Sequence, residues 1–413
     1  MRNILRPFLS SHRSRAHTSR YRAMSSGNGG YTVTVSAPAA LAPVPDTASE
    51  KSHWVRDGGK GEPRRFVNPW ESAYDFTFPE MFKAMMHQKP DTSPPTVNVV
   101  KPEFLSSRTG SRALRAIWLG HACYYVEFPS GIRVLFDPVF EDRCSPVSWF
   151  GHKRFTRRPC DISDIPLIDC VVISHSHYDH LSHPSVLEIQ KHHPSAQFFV
   201  PKGLKKWFAE CGIPNAVELD WWEDADLTLS KQTTDATLAS SEKTTMTVRI
   251  SCLPCQHTSA RTPFDKASTL WASWSVSSGG KSVYFAGDTG YRAVPQLPQG
   301  VDDWGADLAH LPVCPAFKQI GEHRGPFDLG LIPIGAYMPR HVLSPLHSNP
   351  YDSVEIFKDT QCKRAMAIHW GTWAVAEESV LEPPQLLKRA LAKSGLAETG
   401  VFDICDIGES REF

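Results

Sequence analysis

A short apolar run, Cys170-Val-Val-Ile173, is followed at once by His175, His177, Asp179 and His180. The run reads as a buried strand, so the fold must deliver four imidazole or carboxylate groups to one strand end. Such groups in an interior are costly without partners. Together they suit zinc and its neighbours, and four of them can serve two ions at once.

Other strand ends offer more groups of the same kind. His257 follows the apolar-patterned segment ending at Ile250, Asp288 follows Ser282–Ala286, and His369 follows Ala365–Ile368. Glycines flank Asp288 in Gly287-Asp-Thr-Gly290 and permit a tight turn beside an ion. From the residues alone, these three read equally well as metal ligands or as ordinary polar groups ending strands.

Short β-branched or apolar runs recur at Ala116–Leu119, Tyr124–Phe128, Arg133–Phe136, Gln197–Val200, Thr247–Ile250, Ser282–Phe285 and Ala365–Ile368. Helical patterns lie between them at Pro184–His193, Lys202–Cys211, Ser353–Gln361 and Pro384–Ser394. Strands mixed with helices over one long domain predict an α/β architecture of two sheets with helices outside.

Composition narrows the function. With 44 basic against 44 acidic residues in 413, the chain has no net charge to draw it to nucleic acid, and no nucleic-acid partner is expected. Ten widely spaced cysteines in a chain of this length predict free buried thiols, and Cys252 and Cys255 lack the second pair that a zinc finger would need. No stretch carries the roughly 18 uncharged apolar residues of a spanning helix.

The first 45 residues contain no Asp or Glu, while Arg2, Arg6, Arg13, Arg15, Arg20 and Arg22 alternate with Ser and apolar residues. Residues 1–24 therefore read as a mitochondrial presequence or as a basic tail. Residues 25–65, rich in Gly, Ala, Pro and Ser, are expected to be a flexible lead-in to a domain spanning 66–413. The Ser- and Thr-rich segment Thr228–Met246 is expected to be a surface insertion, and Ala293–Val313 reads as a second insertion.

The His-x-His-x-Asp-His run with its distant His, Asp and His resembles the metallo-β-lactamase superfamily. Phe66-Val-Asn-Pro-Trp70, Trp118-Leu-Gly-His-Ala122, Leu270-Trp-Ala-Ser-Trp-Ser-Val276, Gly287-Asp-Thr-Gly-Tyr291 and Met366-Ala-Ile-His-Trp-Gly-Thr372 resemble its N-acylphosphatidylethanolamine-hydrolysing phospholipase D family. The resemblance implies a four-layer αβ/βα sandwich with two mixed sheets and outer helices. It implies two Zn²⁺ per subunit: one on His175, His177 and His257, the other on Asp179, His180 and His369, with Asp288 shared. The implied reaction hydrolyses N-acylphosphatidylethanolamine to N-acylethanolamine and phosphatidic acid. A related metallohydrolase of a soluble ester, lactone or nucleic-acid phosphodiester is the alternative, because fold alone does not set chemistry.

Two further sets of residues follow from the same comparison. His347, in Leu346-His-Ser-Asn-Pro350, matches a family histidine near the scissile group and is a candidate hydrogen-bond donor there, or else a plain loop histidine. Tyr337 and Arg340 are candidates to line the pocket, with packing the alternative for Tyr337. His121 reads as structural. Ser176 stands where the family commonly has Asn. A phospholipid substrate needs contact with a membrane surface, and Ser148–Arg158 interleaves Trp149, Phe150 and Phe155 with Lys153, Arg154, Arg157 and Arg158. That pattern suits an interfacial loop, or a packed loop with a solvated basic edge. The expected location is mitochondrial and peripheral on a membrane, with the cytoplasm as the alternative. The oligomeric state is open, an oligomer included.

Overall fold

A computed structural model describes residues 30–59, 61–77, 97–109, 111–231, 245–298 and 300–413. The expected presequence at 1–24 lies outside them.

The strands are β1 (Tyr31–Ser36), β2 (Trp54–Val55), β3 (Arg65–Phe66), β4 (Arg115–Gly120), β5 (Cys123–Glu127), β6 (Arg133–Phe136), β7 (Cys170–Val172), β8 (Gln197–Pro201) and β9 (Ala216–Leu219). They continue with β10 (Asp224–Lys231), β11 (Thr245–Leu253), β12 (Ser273–Ser278), β13 (Lys281–Phe285), β14 (Leu329–Pro333), β15 (Ala365–Ile368), β16 (Phe402–Asp403) and β17 (Ser410–Glu412). The α-helices are α1 (His183–His192), α2 (Lys205–Glu210), α3 (Ala316–Arg324), α4 (Arg340–Leu343), α5 (Pro350–Asp359) and α6 (Glu382–Lys393).

An eight-stranded sheet runs β1-β10-β11-β12-β13-β14-β15-β16, and a seven-stranded sheet runs β17-β4-β5-β6-β7-β8-β9. Both are mixed. In the first, pairing is antiparallel from β1 to β13 and parallel from β13 to β16. In the second it is antiparallel from β17 to β6 and parallel from β6 to β9.

Strict alternation along the apolar strands makes the layers. Trp118, Val134, Phe136, Cys170 and Val172 enter the larger core with Ile250, Trp274, Phe285 and Ile368 of the other sheet. Their neighbours Ile117, Leu119, Leu135, Val171 and Ile173 face the opposite way, against Val186 and Ile189 of α1 and Phe208 of α2. A strand buried on both faces has no polar side, which is why Cys170–Ile173 carries no alternation of polarity. Phe317 and Ile320 of α3, Val354 and Phe357 of α5 and Leu387 of α6 join the first core. The result is the expected four-layer α/β sandwich, helices outside and two sheets within.

Local signals set the helix starts. Ser182 accepts from the Ser185 amide at the head of α1, and Asn349 with Asp352 forms a capping box on α5. Helix α3 and strands such as β12 and β14 carry no clear signal in sequence, being short and buried.

Two boundaries differ from expectation. The expected lead-in contains β1, which pairs along its whole length with β10, so the folded region begins by Tyr31 rather than Phe66. Tyr-Thr-Val-Thr-Val-Ser alternates, with Val33 and Val35 buried, and the Gly, Ala and Pro around it obscured a β-branched strand. The expected insertion is also narrower: Thr228–Lys231 completes β10 and Thr245 opens β11, leaving 232–244 outside the described residues. Buried Leu227 and Leu229 anchor that extension, with half-buried Thr228 and Ser230 on the alternate positions.

Candidate metal centre

The topology brings the strand ends together. Strands β4, β6 and β7 point one way in their sheet, and β11, β13 and β15 share a direction in theirs. The chain leaves β7 into the turn holding His175, His177, Asp179 and His180, leaves β11 toward His257, β13 toward Asp288 and β15 toward His369. His175, His180, His257, Asp288 and His369 are buried, and His177 and Asp179 are half-buried.

All seven residues converge, in two groups. His175 Nε2 lies 2.9 Å from His177 Nδ1, which lies 3.3 Å from His257 Nε2. Asp179 Oδ2 lies 3.5 Å from both His180 Nε2 and His369 Nε2. Asp288 stands between the groups: its Oδ2 is 3.0 Å from His180 Nε2, 3.1 Å from His369 Nε2, 3.8 Å from His257 Nε2 and 3.9 Å from His175 Nε2.

The donor set fits metal ions. Ligands of a tetrahedral zinc at about 2.0–2.1 Å are themselves roughly 3.3 Å apart, close to the spacing of these ring nitrogens. His180 Nε2, His369 Nε2 and Asp288 Oδ1 are buried yet make no hydrogen bond. Orphaned atoms of this kind carry a desolvation penalty that coordination removes.

The charge balance differs between the groups. Burial, with His180, His257 and His177 close by, holds the His175 pKa well below the ordinary imidazole value. Burial likewise pushes His257 and His177 down, so the first group is three neutral imidazoles in ligand form. In the second group burial opposes charge, but Asp288 and Asp179 outweigh it, raising His180 far up and His369 to about 9. Two carboxylates therefore draw positive charge into that half, and a cation can supply it in place of protons.

Groups outside the expected set hold these side chains. Asp137 Oδ2 is 2.7 Å from His180 Nδ1 and also accepts from Ser174 Oγ at 2.5 Å. Leu346 O is 2.9 Å from His257 Nδ1, leaving Nε2 to face the centre. His121, expected to be structural, approaches Asp179 Oδ2 to 3.0 Å through Nε2 and so braces that carboxylate. Such partners fix the tautomer and direction of a ligand. Asp137 was signalled by its place directly after the apolar β6, as His121 was by its place after β4.

Backbone strain gathers at the same edge. His121, Asp137 and His369 all have positive φ, at 52°, 36° and 63°. Non-glycine residues in that region are uncommon and cluster at functional sites. Gly287 (φ 60°) precedes Asp288, and a Cβ there would lie 2.7 Å from Ser174 Cβ. Only glycine lets the Asp288 turn approach the first histidine loop.

His347 enters the centre as expected, its Nδ1 3.9 Å from Asp288 Oδ2, and burial lowers its pKa to about 4. It is therefore neutral at neutral pH. Tyr337 takes the packing role: its buried hydroxyl donates to Glu382 Oε1 at 2.7 Å. Arg340 pairs with Asp303 at 2.7 Å and Asp352 at 2.6 Å, and its Nη1 donates to His347 O at 3.4 Å. A cavity of about 660 Å³ opens beside the turn between His177 and Asp179, lined by Phe140, Arg143, Val147, Tyr178, Trp207 and Arg261.

The loop Ser148–Arg158 divides into two parts. Trp149 and Phe150 are 78% and 66% exposed, and Lys153, Arg157 and Arg158 are exposed too. Arg154 departs from the expected surface role. Its guanidinium is buried, donates to Val139 O at 2.8 Å and sits 4.4 Å over the Trp373 ring. Phe155 packs half-buried against the main core. Charge alone does not distinguish a solvated arginine from one that satisfies buried carbonyls.

The described residues include no helix long and apolar enough to cross a membrane. All ten cysteines are free, Cys252 and Cys255 among the buried ones.

A Beta-lactamase superfamily domain matches residues 132–370. The fold and the convergent His/Asp set define a metal-dependent hydrolase of that superfamily. An N-acyl-phosphatidylethanolamine-hydrolyzing phospholipase D of Caenorhabditis elegans is 36% identical over 329 residues, covering 78% of this chain and 81% of its own length. The mitochondrial N-acyl-phosphatidylethanolamine-hydrolyzing phospholipase D of Saccharomyces cerevisiae is 32% identical over 302 residues, 72% of this chain and 55% of the yeast protein. A metallo hydrolase of Ignicoccus hospitalis overlays 73% of this chain and 98% of its own, at 19% identity and a TM-score of 0.45. The chain belongs to the N-acylphosphatidylethanolamine-hydrolysing phospholipase D family of the metallo-β-lactamase superfamily.

Proposed function

We propose that this protein is a zinc-dependent phospholipase D-type phosphodiesterase that hydrolyses N-acylphosphatidylethanolamine to N-acylethanolamine and phosphatidic acid. The observation that carries the reading is the pair of donor groups flanking one carboxylate: His175, His177 and His257 on one side, Asp179, His180 and His369 on the other, Asp288 between. Two Zn²⁺ held there supply Lewis acidity toward phosphoryl oxygens and water acidic enough to act as nucleophile near neutral pH. No side-chain nucleophile is then needed. Asp288 belongs to the catalytic set because it faces both groups. Neutral His347 is placed to donate one ring N–H to the phosphate or the leaving oxygen.

The names of the two relatives support the substrate, and the yeast relative's name, with the arginine-rich N-terminus, supports a mitochondrial location. We place the protein peripherally on a membrane through Trp149 and Phe150, with Lys153, Arg157 and Arg158 toward anionic headgroups. Aromatic side chains favour headgroup depth, and each cation near an anionic surface adds about 1 kcal/mol. Arg154 and Phe155 take no part.

The test is headgroup release from liposomes of N-acylphosphatidylethanolamine, set against phosphatidylcholine, short RNA and a lactone. Preferential release from the first supports the reading, and preferential cleavage of any other removes it. Replacing Lys153, Arg157 and Arg158 by Gln should weaken co-sedimentation with phosphatidylserine vesicles at low salt; unchanged sedimentation would remove the membrane contact.

A further inference from the structure

Gln256 is fully buried, immediately before His257, and every polar group it carries is engaged. Its Oε1 accepts from Ser72 Oγ at 2.6 Å. Its Nε2 donates to Pro345 O at 3.0 Å and to Ser72 O at 3.2 Å. Its backbone N–H donates to Thr289 Oγ1 at 2.9 Å, and its carbonyl accepts from Gly290 N at 2.7 Å. One residue thus joins the loops of His257, Asp288 and His347 to the segment that precedes β4.

The joined loops are in close contact. Pro345 carbonyl carbon would lie 2.3 Å from a Cβ on Gly290, so the Asp288 and His347 loops touch without intervening space. The Ser348 amide donates to Thr289 O at 2.7 Å. On the other side Asn68 Nδ2 donates to His257 O at 2.8 Å, and Asn68 Oδ1 accepts from Trp271 Nε1 at 3.1 Å. His257 has its own tie to the third loop through Leu346 O. Among the described residues, Gln256 Nε2 is the one side-chain donor to the Pro345 carbonyl.

We infer that Gln256 is a positioning residue for this hydrolase: its side-chain amide, clamped by Ser72, holds the Pro345 carbonyl and thereby sets where His347 stands relative to Asp288. The inference rests on the proposed role of His347. Glutamine meets the need because one planar group offers an acceptor to Ser72 and donors to two carbonyls. Glutamate keeps the first and loses the second, turning an oxygen toward Pro345 O.

Gln256→Glu is expected to lower kcat by about 10- to 100-fold with KM nearly unchanged, the scale seen when a ligand's support is altered. Combined with His347→Ala it should cost no more than about twofold further, because the two changes break one device. Zinc bound by the metal-free protein, titrated by calorimetry, should stay at the wild-type stoichiometry. Gln256→Met, which removes all three side-chain bonds without introducing a carboxylate, guards against a folding failure of the glutamate variant and should show the same non-additivity. Fully multiplicative losses in kcat, or loss of zinc in both variants, would overturn the inference. If the wild-type protein leaves N-acylphosphatidylethanolamine intact, the substrate reading fails, and the same cycle on bis(4-nitrophenyl) phosphate still decides the positioning role.

Discussion

Two buried charge clusters in this molecule look alike in composition and differ in valence. Around α4 and α5, Arg340 meets Asp303 and Asp352, Arg292 meets Asp352 at 3.3 Å, and Trp304 Nε1 donates to Asp352 at 3.1 Å. Every cation there faces an anion. At the edge where β7, β11, β13 and β15 end, ring nitrogens crowd one another, and His180 Nε2 and His369 Nε2 approach Asp288 Oδ2 to 3.0 and 3.1 Å outside hydrogen-bond geometry, with Asp288 Oδ1 unpaired. The first cluster is complete from the chain's own atoms. On the proposed reading, metal ions complete the second.

The largest effect is expected at Asp288, the carboxylate between the two donor groups. Asp288→Asn should lower hydrolysis by about 10³-fold or more, since it weakens charge stabilisation worth several kcal/mol, while near-ultraviolet circular dichroism keeps its folded signature. Activity at the wild-type rate would remove Asp288 from the reaction.

The complete cluster should respond in the opposite sense. Asp352→Asn removes the charge that buried Arg292 and half-buried Arg340 share, leaving them Asp303 alone, and should cost about 3–5 kcal/mol in denaturant unfolding while bound metal per folded chain is unchanged. Loss of metal with little change in stability would erase the distinction.

A smaller effect is expected where the N-terminal segment is fastened. Asp220 pairs with His53 Nε2 at 2.8 Å and Lys51 Nζ at 3.0 Å. Burial favours its neutral form, but those partners prevail and hold its pKa below the ordinary carboxylate value. A carboxylate depressed in the folded state stabilises above its unfolded pKa, near 3.9, and that stabilisation fades as pH falls toward the folded value. Asp220→Asn should therefore cost about 1–3 kcal/mol at pH 5–7, and the gap to wild type should narrow below about pH 4. A gap independent of pH would show that the pair contributes packing alone.

The sequence disclosed the centre better than its frame. All seven expected ligand residues converge because each follows a strand whose apolar run was visible, and period-two burial places strand ends at a common edge. The supports were less visible. Asp137 and His121 carry only the weak signal of a place directly after an apolar strand, and Gln256 acts through carbonyls contributed by distant loops, which no local spacing marks. The strand Tyr31–Ser36 was hidden by its flanking composition, and Arg154 by a charge pattern that looked solvated. In each case the missing information was tertiary.

On the proposed function, Asp288 is shared between two ions. Metal per chain, measured by elemental analysis and native mass spectrometry on protein loaded with Zn²⁺ and freed of excess, tests it directly. Two ions in the wild-type protein and loss of at least one in Asp288→Asn is the result expected. A single ion in the wild-type protein, or two retained in the variant, would show that Asp288 is not shared.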